Sequence, residues 1–106
     1  MGNPHASSLK GLRNLWQTSQ QMLQTAGIFS TYQLRAMGSA AAFFAVQESG
    51  YASKPSLNLL WALEGALTGR DWKEIANDSH IRLTLLMQLD DLKKWNPVSE
   101  AQNLVR

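Results

Sequence analysis

A chain of 106 residues with no cysteine and only two histidines is one domain in size, large enough to bury about two-thirds of its unfolded surface, and holds no disulfide, thiolate metal site or cysteine nucleophile. Its net charge of +2 conceals an asymmetry: before Glu48 stand Lys10, Arg13 and Arg35 with no carboxylate, whereas from Glu48 onward seven basic residues meet eight acidic ones. A positive half can lean on an anionic partner such as a phosphate backbone, but three cations in 47 residues is also what a mostly apolar and amide-rich half leaves.

The punctuation predicts helices throughout. Residues 1–8 read as a polar leader. Leu9, Leu12 and Leu15, at three-residue spacing, predict a short first helix ending near Leu15. Thr18 with Gln21 has the capping-box pattern, and Met22, Leu23 and Ala26 then lead to Gly27 as a stop. Ser30 with Gln33 makes a second capping box, with Phe29 and Leu34 at the spacing of a hydrophobic staple, and this helix stops at Gly38. Ser39 is the expected cap of an alanine-rich helix carrying Phe43, Phe44 and Val46, which Gly50 ends. Residues 51–55 read as a loop.

The stretch from Ser56 to Gly69 is the most informative. Ser56 suits an N-cap and Gly69 a left-handed stop, and the helix between is apolar on almost every side, as befits the middle of a helical bundle. Ala62, Gly65 and Gly69 share a stripe where another backbone can come close. Glu64 is read as a structural carboxylate, accepting hydrogen bonds at a neighbouring helix start or pairing with an arginine such as Arg35; the alternative is an acid or base in a pocket. Asp71 with Glu74 starts a short turn, and the interleaved Arg70, Lys73 and acids read as a self-paired surface rather than a phosphate site.

Asp78 or Ser79 begins the last long helix, which runs to about Trp95 before Asn96-Pro97 ends it, and 96–106 read as a tail. Ile81, Leu85, Leu89 and Leu92 form its core stripe. Leu83 and Met87 lie on another side, beside Asp90 and Lys94. That second stripe serves either for self-association, as a weak homodimer, or for a partner, or else it is covered by the first helix or the tail. The sum is an all-α fold, a compact bundle of six to seven short helices around a buried central helix, occupying residues 9–95.

The order Leu12-Arg13-Asn14-Leu15, then Ser19 through Leu23, then Gly27-Ile28 with Leu34, Arg35 and Gly38, resembles the C-terminal domain of the TfoX/Sxy family. The Ser56–Gly69 block is similar to that family's most distinctive stretch. The resemblance implies a bacterial protein tied to natural transformation, regulating DNA-uptake genes together with a cyclic-AMP-responsive activator. Many such proteins carry a separate N-terminal domain, so this chain is expected to be a stand-alone C-terminal module. The N-terminal part also resembles a helix-hairpin-helix unit. Such hairpins bring backbone N–H groups to phosphate through glycines, and here Asn14 and Trp16 occupy those positions, with Thr18 where a basic residue is common. Trp16 either folds back over the helix ends as a core residue or stands out as an aromatic anchor for a protein partner.

No nucleophile elbow, phosphate-cradling loop or acid–base pair is visible, so no enzyme, cofactor or small-molecule substrate is expected. His80 alone makes no zinc site, which takes about four ligands. No apolar run nears the roughly 20 residues that span a bilayer, and the start lacks a secretory signal; a cytoplasmic protein with no membrane partner is expected. The preferred function is a non-enzymatic regulatory module that binds duplex DNA through Lys10, Arg13 and Arg35, or a DNA-bound transcription regulator. The alternative is an interaction or oligomerisation domain with no nucleic-acid role, using Trp16, Leu83 and Met87.

Overall fold

The structure, a computed structural model, describes residues 9, 11–50 and 54–94. The proposed leader, the tail after Trp95 and Lys10 therefore lie outside the described residues. Six helices follow one another: α1 (Gln17–Thr25), α2 (Thr31–Met37), α3 (Ser39–Gln47), α4 (Leu57–Thr68), α5 (Trp72–Ala76) and α6 (Ser79–Lys94). No extended strand occurs among the described residues. The all-α bundle is as the sequence predicts.

The first expected helix is absent. Leu9 to Leu15 instead forms two successive turns, closed by Leu12 N–H to Leu9 carbonyl and Leu15 N–H to Leu12 carbonyl, each at 3.2 Å. Gly11 at φ +87° and Asn14 at φ +71° hold the left-handed region, which no right-handed helix continues through. The three leucines keep their spacing because a turn of this kind repeats every three residues; Leu9 and Leu15 are buried.

Helix α1 begins at Gln17, with Trp16 in the N-cap position, so Thr18 is an inner residue and not the expected cap. The start is fixed from the other end of the turn: the Gln20 side chain donates to the Leu15 carbonyl at 2.8 Å. The helix stops as predicted at Gly27, φ +86°. There Ile28 N–H reaches Leu23 carbonyl and Gly27 N–H reaches Gln24 carbonyl, at 2.8 and 2.9 Å, and Leu23 and Ile28 are both buried. This is a complete Schellman stop with its apolar contact.

At α2 the Ser30 hydroxyl accepts from Gln33 N–H at 3.1 Å. Gln33 reaches back one residue further than a capping box requires, accepting from Phe29 N–H at 2.8 Å. The staple is only half made, because Leu34 is buried while Phe29 stays 60% exposed. For α3 the N-cap is Gly38 rather than Ser39; the Ser39 hydroxyl turns inward to a different partner, described below.

Helix α4 is buried as its sequence predicts, with Leu59 to Leu63, Gly65 and Ala66 withdrawn from water. Ser56 sits at its N-cap, although its side chain makes no capping bond. Gly69 ends it at φ +72°. The helix against which most others lie is α3, which packs on α1, α2, α4 and α6, while α4 packs on α3 and α5. Small residues Ala40 and Ala42, buried beside Phe43 and Val46, let those neighbours come close. Helix α6 lays Leu85 and Leu89 against this core. No helix among the described residues is long and apolar enough to cross a membrane.

Candidate functional site

Asn14 organises the N-terminal end of the molecule. It is 6% exposed, and its left-handed backbone is one that asparagine tolerates better than other non-glycine residues. Its Nδ2 donates to the Arg70 carbonyl at 2.8 Å, with the Ala62 carbonyl at 3.5 Å. Its Oδ1 accepts from Trp72 N–H at 3.2 Å, at the first turn of α5. The buried amide is thus satisfied on both sides.

Gly65 makes this possible. A Cβ there would stand 2.5 Å from Asn14 Nδ2 and nearer still to the Arg70 carbonyl oxygen. The small-residue stripe of α4 admits a backbone, as predicted, and the backbone is the chain's own return after Gly69.

Arg13 reinforces the same junction. Its guanidinium donates to the Gly69 carbonyl at 3.0 Å and lies 3.9 Å from Asp71. Asp71 meanwhile caps α5, accepting from Lys73 N–H at 2.9 Å. The double turn is therefore clamped onto the α4–α5 corner by two consecutive side chains.

Clamping Asn14 leaves Trp16 projecting. Its backbone is extended, at φ −91° and ψ −176°, and it is 68% exposed, so the core reading of this indole is overturned in favour of the exposed one. Hollows flank it. One, of about 270 Å³, lies among Trp16, Thr18, Met22, Asn58, Leu59 and Trp72, between the first turns of α1 and α4. None of the described residues that line it is charged. A shallower one, of about 600 Å³, runs along Gly11 to Gln17 with Asp71. A protruding aromatic beside a neutral, largely apolar hollow is contact surface of the kind protein partners use.

Of the three cations proposed for duplex binding, two fall among the described residues. Lys10 lies outside the described residues; Arg13 is engaged at the α4–α5 corner; Arg35 is exposed on the last turn of α2, and among the described residues no hydrogen bond or ion pair joins it to Arg13. Around α5 the cations are met locally: Arg70 pairs with Glu74 at 3.4 Å and Lys73 lies 5.9 Å over the Trp72 ring. This is the self-paired surface the sequence suggested.

Glu64 takes its hydrogen bond at a helix start, as expected, but the donor is the Ser39 hydroxyl at 2.7 Å and not a backbone N–H or Arg35. The bond ties α4 to the first residue of α3. Leu83 and Met87 are each 59% exposed, so no described residue covers that stripe as the alternative reading supposed.

Sequence reasoning missed Asn14 and Trp72. The sequence marks Asn14 only as a departure from a hairpin glycine, although asparagine's tolerance of positive φ is an available signal; nothing local marks Trp72 as the wall of a hollow built from distant elements.

Residues 5–88 match the family model of the TfoX C-terminal domain. No curated protein and no solved structure matches the chain.

Proposed function

The chain belongs to the TfoX C-terminal domain family, and we propose that it is a non-catalytic regulatory module for DNA-uptake genes that docks on a DNA-bound transcription regulator. The observation that carries this reading is Trp16, an indole 68% exposed on the edge of a hollow whose described lining residues are neutral. Aromatic residues presented in this way dominate protein–protein contacts. The resemblance to a hairpin assigns this position to a glycine that admits phosphate, and an indole does not serve that role, while Arg13 is engaged by Gly69 and Asp71. Both favour a protein partner over direct contact with duplex DNA. The hydroxyls, amides and apolar groups around the hollow supply surface for docking rather than an acid–base pair for turnover.

Direct duplex binding is the second reading, and one observation favours it. Helix α1 starts without a side-chain cap and with no acidic residue in its first turn, which leaves N–H groups for a phosphate.

A labelled duplex carrying the regulator's site separates the two. The chain is titrated onto the bare duplex and onto the duplex with a cyclic-AMP-responsive activator bound, at about 50 and 200 mM salt. Docking on the regulator predicts binding only in its presence, weakened by Trp16→Ala and little changed by salt. Binding to bare duplex that falls steeply with salt selects the second reading. Binding to neither leaves an interaction domain without a nucleic-acid role.

A further inference from the structure

The solvent face of α6 carries an apolar pair with an imidazole before it and a carboxylate–ammonium pair after it. Taking 100° per residue, Leu83, Met87 and Lys94 fall within 40° of one another, with Asp90 and His80 at the margins and Leu85 on the opposite, core-facing side. Leu83 and Met87 are each 59% exposed, one turn apart. His80 lies one turn before them. Asp90 lies one turn after them and holds Lys94 at 3.1 Å. His80, Leu83, Met87, Asp90 and Lys94 thus alternate at spacings of three and four, the seam of a helix that pairs with another helix.

We propose that a second copy of this chain covers this face, with the two α6 helices antiparallel about a two-fold axis at the level of residue 85. In that register Leu83 of each copy meets Met87 of the other, and His80 of each meets Asp90 of the other. The Asp90 carboxylate decides the orientation, because an imidazole N–H can donate to it and a second carboxylate cannot. A parallel pair would set Asp90 against Asp90 and His80 against His80, and would align two helix dipoles unfavourably. The antiparallel pair matches unlike groups at both ends and is self-complementary, as a two-fold interface must be. About three turns of helix bury less than the roughly 800 Å² per partner of a standard interface, so the dimer is weak and concentration-dependent. This assignment does not rest on the regulatory reading above.

Sedimentation velocity of the full chain from about 5 to 500 μM tests it, a span covering weak dissociation constants. The apparent mass is expected to climb toward that of a dimer, and Leu83→Glu with Met87→Glu to hold it at the monomer with an unchanged circular-dichroism spectrum. Because the chain has no cysteine, Leu83→Cys and Met87→Cys variants report the register. Oxidising their mixture is expected to link 83 to 87 in preference to 83 to 83 or 87 to 87. A monomer throughout the range, a dimer that survives the glutamates, or like-with-like crosslinks in excess would each overturn the proposal.

Discussion

Asn14 and Gly65, separated by about fifty positions in sequence, share one small volume: the Asn14 carboxamide lies 2.8 Å from the Arg70 carbonyl in space that a Cβ on Gly65 would enter. A left-handed asparagine and a helical glycine together let the N-terminal double turn close over the end of α4. What that closure presents to the outside is Trp16.

Asn14→Ala removes the amide that serves the Arg70 carbonyl and Trp72 N–H, and also puts an alanine at positive φ. A loss of about 2–4 kcal/mol is expected in urea unfolding. Asn14→Gly keeps the backbone comfortable and loses only the hydrogen bonds, so about 1–3 kcal/mol is expected. Equal losses would show that the left-handed conformation contributes nothing.

Gly65→Ala forces a methyl against Asn14 and the returning backbone, for a cost of about 1–3 kcal/mol. The Asn14→Gly, Gly65→Ala pair is expected to cost less than the two singles added, by at least about 0.5 kcal/mol. Strict additivity would mean that the two residues do not compete for the same space.

Gly69 ends α4 at φ +72° with open space around it, so Gly69→Ala tests backbone strain without a clash. About 1 kcal/mol of destabilisation is expected by thermal or urea unfolding. An unchanged midpoint would mean that the stop does not depend on the glycine.

Arg13→Ala breaks a half-exposed contact with Gly69 and Asp71, and under about 1 kcal/mol of stability should be lost. If duplex binding is found, its salt slope is expected to be the same with and without Arg13. A slope smaller by about one would identify a phosphate contact instead.

Trp16→Ala and Trp61→Ala are expected to diverge sharply. Trp61 is 5% exposed and its ring lies under Arg82, so its removal costs about 3–5 kcal/mol. Trp16 stands in solvent, and its removal should change stability by no more than about 0.5 kcal/mol. Loss of stability in Trp16→Ala comparable with that in Trp61→Ala would mean the indole packs inward.

What the amino-acid order determined was the repertoire of helices. Continuous apolarity between Ser56 and Gly69 is local information, and so are the glycine stops at 27, 38 and 69 and the caps at Ser30 and Asp71; each acts within a few residues and needs no partner from elsewhere. Helix α3, by contrast, ends at Gln47 with Glu48 as its cap, before the expected Gly50. The same locality explains where the reading failed. Leucines at 9, 12 and 15 fit a helix or a pair of turns equally well, and the choice fell to Gly11 and Asn14 at positive φ, the latter held by contacts some fifty residues away. Ser39 has a capping residue's chemistry but found Glu64 across the bundle. Tertiary structure alone decided that Arg13 is engaged while Trp16 is displayed, because exposure depends on what the α4–α5 corner and the first turns bring together.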